Sequence, residues 1–256
     1  MIEGIETGYE DKYDFPHRKD FPERGYMLAT IPRTGSTFVS HLLWQSGCLG
    51  APLEYLNFLP GSPYAWAHGS PEKQHQLWHS LLHRRTSPNG LFGVKCFSQQ
   101  LRELQQHNPA LLMEVIGALL PQNRNARVVR LKRRDRIAHA VSYARAALSG
   151  VWHKVQEGGE APKVTYSEET VDQARRALDH QEADWDMLLR EQGVQQLTLW
   201  YEDVIEGPAE AVRSVAEFLG VKLDPAATVA VPGIERQSQE ESSAWAERYR
   251  KRINPE

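Results

Sequence analysis

Between an apolar run, Tyr26-Met27-Leu28-Ala29-Thr30-Ile31, and an amphipathic one, Phe38 through Trp44, lies the turn Pro32-Arg33-Thr34-Gly35-Ser36-Thr37. A strand that feeds a tight turn into a helix leaves several backbone N–H groups aimed at one spot, and the helix dipole adds partial positive charge there. Such a turn holds an anion, most often a phosphate. Gly35 lets the backbone approach closely, Ser36 and Thr37 add hydroxyl donors, and Arg33 supplies a full charge in a bidentate fork. The nucleotide-triphosphatase loop differs, with four residues between its glycines and a Gly-Lys-Ser/Thr ending. This turn is shorter and no lysine follows Gly35, which argues against ATP hydrolysis. Taken alone, the turn also reads as an N-cap with no ligand.

The elements that position this turn follow from pattern. Further strand-length apolar runs are Leu91–Phe97, Ala126–Lys132 and Gln196–Tyr201. Helical segments separate them at Pro109–Leu120, about Arg136–Leu148, Ser167–Arg190 and Pro208–Leu219. Ser167 is a candidate N-cap ahead of Glu168 and Glu169, and Gly220 lies just past the end of the last helix. Strands alternating with helices predict an α/β fold, a central parallel sheet covered on both faces. The basic run Lys132-Arg133-Arg134-Asp135-Arg136 begins where the third strand ends, and open α/β sheets bind ligands outside the carboxyl ends of their strands.

With 256 residues, 41% of them apolar and 25% charged, the chain suits one globular domain spanning 1–256. Residues 1–24 lack periodicity and predict an irregular arm that packs late or frays; residues 149–165 predict a long surface loop. No apolar run reaches the ~18 residues of a membrane span. The acidic, polar start is neither a signal nor a transit peptide, so a cytoplasmic location is expected. Two cysteines, Cys48 and Cys96, cannot form a disulfide framework or a four-thiolate zinc site, and a net charge of −3 argues against a general nucleic-acid binder.

Several separated blocks then resemble one family. The Pro32–Thr37 turn looks like the 5′-phosphosulfate loop of sulfotransferases that use 3′-phosphoadenosine 5′-phosphosulfate (PAPS). The chain is more closely similar to the bacterial trehalose sulfotransferase (Stf-type) family through Gly50-Ala51-Pro52-Leu53-Glu54-Tyr55, Asn89–Lys95, Asp135–Ala146, Glu235-Arg236-Gln237 and Trp245–Arg250. The resemblance implies a P-loop-like sulfotransferase fold, PAPS as donor released as 3′,5′-bisphosphoadenosine (PAP), no metal, and a homodimer. It puts the 5′-phosphosulfate on Arg33, Thr34, Gly35, Ser36 and Thr37, and the 3′-phosphate on Arg133 and Ser142. Tyr201, opening Tyr201-Glu202-Asp203, is implied to touch the adenine, and Arg236 to close over the donor.

The cytosolic branch of these enzymes carries a histidine two positions after a lysine on the second strand. Here Lys95 is followed by Cys96 and Phe97, so a different base is needed. Glu54 occupies the position that acts as base in the trehalose branch, and Arg33 and Lys95 are the candidates for stabilising charge on the sulfuryl group and leaving phosphate. Fixed charges at a leaving group are usually the larger catalytic term, and a positioned base adds ~10²–10⁴ in rate. The acceptor is expected to be a hydroxyl on a carbohydrate or glycolipid, with Glu54 and Trp152 lining its site. Ala51 stands where the family often has an acidic sugar-contacting residue.

Other readings exist. His75, His79 and His83 recur at one-turn spacing, as zinc ligands can, but no metalloprotease Glu lies between them and a polar helix face accounts for them. His41 and His139 flank the two phosphate segments and read as structural or donor-neighbouring. The alternatives to a sulfotransferase are a nucleotide-dependent kinase, disfavoured by the missing lysine and the lack of paired magnesium carboxylates, and a non-catalytic nucleotide-binding module.

Overall fold

The four apolar runs become strands β1 (Arg24–Thr30), β2 (Leu91–Phe97), β3 (Arg127–Lys132) and β4 (Gln195–Trp200). They form one parallel sheet in the order β2-β1-β3-β4. The computed structural model describes residues 7–119, 126–152, 164–233 and 240–253. Helices are α1 (Ser36–Gln45), α2 (Pro71–Arg84), α3 (Ser98–His107), α4 (Pro109–Leu119), α5 (Arg136–Ser149), α6 (Glu168–Gln192), α7 (Tyr201–Glu206), α8 (Pro208–Leu219) and α9 (Glu240–Ile253). Sequence and structure agree on the expected strands and helices to within one or two residues. Tyr201, read as the end of the fourth strand, instead opens α7.

Both sheet faces are buried, as continuous apolar strands require. Tyr26, Leu28, Val129, Leu131 and Leu199 face a layer with Val39 and Leu43 of α1 and Val215 and Leu219 of α8. Ala29, Phe92, Val94, Cys96 and Val128 face the other, with side chains from α2, α4, α5 and α6. Burying each such Val or Leu stabilises the fold by roughly 1.5–3 kcal/mol. Among the described residues no helix is long and apolar enough to cross a membrane.

The chain leaves β1 for β2 on one side, then crosses back to β3 on the other. Crevices for ligands open at such reversals, outside the carboxyl ends of the strands. The Pro32–Thr37 turn follows β1 and Arg133 follows β3, so both flank this point.

The described part of the N-terminal arm does not fray. Arg85, 1% exposed, donates to the carbonyls of Gly8 and Glu10 at 2.9 and 3.1 Å and pairs with Asp14 at 2.8 Å. Phe15 enters the core, and Tyr9 packs edge-on against Tyr55 and Tyr64. The tie depends on an arginine some 70 positions away, and local periodicity does not report it.

Candidate active site

The turn after β1 is built to stay open. Thr34 is fully buried, and its hydroxyl donates to the Ile31 carbonyl at 2.9 Å and meets that of Thr30 at 2.5 Å. This pins the turn from beneath and engages the Thr34 side chain inside the protein. Gly35 is the N-cap of α1 at φ 78°, without a side chain to cover the first-turn N–H groups of Ser36 and Thr37. The Tyr201 ring lies against it: a Cβ on Gly35 would stand 2.4 Å from Tyr201 Cε2. Arg33 is the one described non-glycine residue at positive φ, 67°, a left-handed conformation that costs a bulky residue about 1 kcal/mol or more.

The second basic locus meets the first. Arg33 donates from Nε to Ser142 Oγ of α5 at 3.1 Å, and through its guanidinium to the Trp152 carbonyl. Arg133 donates to the Arg33 carbonyl at 3.4 Å, and its guanidinium lies 5.0 Å from the centre of the Tyr201 ring. Arg33, Gly35, Arg133, Ser142 and Tyr201 therefore form one cluster at the carboxyl ends of β1 and β3. The Trp152 ring packs against Tyr143, and its carbonyl's bond to Arg33 sets this residue beside the Pro32–Thr37 turn. Arg236 lies outside the described residues.

Two buried histidines brace this region. His139 donates from Nε2 to the Pro32 carbonyl at 2.8 Å, and burial, with Arg133, Arg136 and Arg33 nearby, lowers it to about 3 against the opposing pull of that bond. His41 on α1 bonds the Pro232 carbonyl at 3.1 Å, and burial and Lys95 lower it to about 4. Both rings are neutral struts at neutral pH.

A second cluster is hung from the sheet edge. Residues 50–54 run beside β2: Gly50, at φ 67°, abuts Gly93 so closely that a Cβ would stand 2.8 Å from its nitrogen, and the Lys95 N–H donates to the Leu53 carbonyl at 3.0 Å. Ser40 of α1 holds the Pro52 carbonyl at 2.7 Å, linking this segment to the helix of the anion turn. Ala51 is fully buried and its carbonyl accepts the Tyr55 hydroxyl. Glu54 is thereby set beside Lys95, with Oε2 3.3 Å from Nζ, and the two residues are 8% and 3% exposed.

Three contacts to Glu54 are not legible in the sequence. Asn57 Nδ2 and Gln100 Nε2 both donate to Oε1, at 3.0 and 2.8 Å, and Tyr9 Oη accepts the Glu54 backbone N–H at 3.1 Å. Burial, then the Glu54 charge, push the Tyr9 hydroxyl and the Cys96 thiol well up, so neither is an anion near neutrality. Asn and Gln are common polar residues, and only the tertiary fold brings these two to a carboxylate.

The histidines at helical spacing lie elsewhere. His75 and His79 of α2 take one oxygen each of Glu114 on α4, both at 3.1 Å, and His83 bonds the Arg18 carbonyl at 3.0 Å. They tie α2 to its neighbours.

Known proteins match this chain along most of its length. The chain is 28% identical to the trehalose 2-sulfotransferase of Mycobacterium tuberculosis, across 89% of this chain and 94% of that one. It is 25% identical to the trehalose 2-sulfotransferase of Mycolicibacterium smegmatis, across 88% and 94%. A solved mouse sulfotransferase, SULT7A1 complexed with PAP, shares 11% identity over 90% of this chain and 65% of its own, at a TM-score of 0.48. The family model for Stf0 sulphotransferases matches residues 25–252, which include both clusters, so this chain belongs to the Stf0 sulphotransferase family and is a sulfuryl-transferring enzyme.

Proposed function

We propose that the enzyme transfers the sulfuryl group of PAPS to a hydroxyl of a sugar-containing acceptor, with Glu54 as general base. The observation that carries this reading is the bond from Arg33 to Ser142, with Arg133 on the Arg33 carbonyl. It joins the turn suited to a 5′-phosphosulfate to the locus suited to a 3′-phosphate. The residues fit such a donor: first-turn N–H groups and two guanidinium groups suit its charge, and the Tyr201 ring, seated on Gly35 where no Cβ intervenes, offers an aromatic group for adenine. Arg236 belongs to this set by resemblance alone.

PAPS supplies the sulfuryl group and a phosphate leaving group. Glu54 accepts the acceptor's hydroxyl proton as that oxygen bonds to sulfur and the bond from sulfur to the phosphate oxygen breaks, its electron pair staying with the phosphate. Lys95, 3.3 Å from Glu54 Oε2, and Arg33 offset the charge that develops on the sulfuryl and phosphate oxygens. The named activity of the two mycobacterial relatives supports a sugar acceptor, and Trp152 is assigned to its site. The resemblance further implies a homodimer, which light scattering of the purified protein checks.

The test is transfer of labelled sulfate from PAPS to a panel of sugars and glycolipids that includes trehalose. Glu54→Gln is expected to bind PAP as the parent does and to lose ~10²-fold or more in turnover. Preferential thermal stabilisation by ATP over PAP, or full turnover in Glu54→Gln, overturns the reading.

A further inference from the structure

We propose that Asn57 and Gln100 are positioning residues that fill one oxygen of Glu54 and so dedicate the other, Oε2, to the acceptor's proton. The inference rests on Glu54 being the base. It starts from the orientation of two amides, which their other contacts decide. The Phe97 backbone N–H donates to Gln100 Oε1 at 3.0 Å, and the Leu59 backbone N–H donates to Asn57 Oδ1 at 3.2 Å. A backbone N–H only donates, so each amide must present its carbonyl oxygen there and its NH₂ group to Glu54.

Two NH₂ groups then converge on Oε1, at 2.8 and 3.0 Å, and supply as many hydrogen bonds as that oxygen has lone pairs. Oε2 has Lys95 at 3.3 Å and keeps acceptor capacity. Proton transfer from the acceptor therefore ends on Oε2, the oxygen beside the cation that also serves the sulfuryl group. The clamp is anchored on two elements. Gln100 sits in the first turn of α3, directly after β2, and Asn57 opens the turn at Leu59–Ser62, where its own carbonyl accepts the Ser62 hydroxyl at 2.8 Å. Carboxyl rotation would break both amide bonds at once.

Steady-state kinetics with PAPS and the fastest acceptor of the panel test this on the full chain. Asn57→Ala and Gln100→Leu are each expected to lower kcat about 10- to 100-fold, the scale of one hydrogen bond to a charged group, with acceptor KM and PAP affinity within about threefold of the parent. In a Glu54→Gln background the same substitutions are expected to cost nothing further, because they act only through that carboxylate. Full loss in Glu54→Gln together with unchanged kcat in Asn57→Ala and Gln100→Leu overturns the clamp and leaves the base assignment standing. Equal losses added on top of Glu54→Gln, or an effect confined to KM, also overturn it. Full turnover in Glu54→Gln removes the base assignment itself.

Discussion

His139 and Pro32 are joined by a 2.8 Å hydrogen bond that ties α5 to the turn after β1, one residue before Arg33 leaves the usual backbone regions. The ring is fully buried and its Nδ1 has no hydrogen-bond partner among the described residues, so Nε2 carries the link. A side chain with a donor at similar reach should preserve it. His139→Gln is expected to keep PAP affinity within a few-fold, and His139→Leu to weaken it about tenfold, as the loss of one buried donor would. Calorimetric titration with PAP measures both, and equal affinities would mean the turn holds itself.

The same residue makes stability pH-dependent. His139 at about 3 and His41 at about 4 lie below the ordinary value of about 6.5. The unfolded chain therefore takes up protons first as pH falls. Their contribution is whole above about pH 6.5 and declines as pH drops through 4 and then 3. The melting temperature should fall between pH 7 and pH 4.5, less steeply in His139→Gln. A variant slope as steep as the parent's would contradict the assignment.

Gly35→Ala tests the seat of the Tyr201 ring on the turn. The new Cβ would stand 2.4 Å from the Tyr201 ring at a backbone φ of 78°, so clash and strain coincide. We expect a stability loss of about 1–3 kcal/mol and at least tenfold weaker PAP binding. Parental affinity for PAP would show that the ring moves aside at little cost.

Beneath the sheet, Arg130 and Glu182 form a buried pair at 2.5 Å, 1% and 5% exposed, with Lys132 also 3.2 Å from the carboxylate. Glu182→Leu would strand the Arg130 guanidinium. A loss of about 3–5 kcal/mol is expected, or roughly 10 °C in Tm, and the double variant Arg130→Met/Glu182→Leu should recover most of it. No recovery in the double variant would mean that the pair packs better than an apolar replacement.

The inner strands and β2 were legible because each is an apolar run of strand length buried in the sheet, whereas β4 at the far edge, half polar and half exposed, carries the signal only in Leu197-Thr198-Leu199-Trp200. The anion turn was legible because glycine, hydroxyls and arginine cluster within six positions. By contrast α3, Ser98-Gln99-Gln100-Leu101-Arg102, is polar and buries little beyond Ser98 and Leu104, so periodicity gives it a weak signal. Tyr9 and Gln100 reach Glu54 from 45 and 46 positions away, and those contacts exist only once β2 and Arg85 are in place. Short-range pattern reports elements, whereas convergence on a carboxylate depends on how they dock.

The hanging of residues 50–54 on β2, a strand that carries neither Arg33 nor Arg133, gives the molecule a chassis and a separate fitting. Beyond Glu54 the exposed Leu59 and Trp66 side chains, at 58% and 52%, can change in chemistry without touching a strand that bears the turn of Arg33 or the loop of Arg133, while Ser62 and the buried Tyr64 between them hold the excursion in place. New acceptor preferences would then be open to this scaffold by re-facing one surface excursion, with the turn of Arg33 and the loop of Arg133 left as they stand.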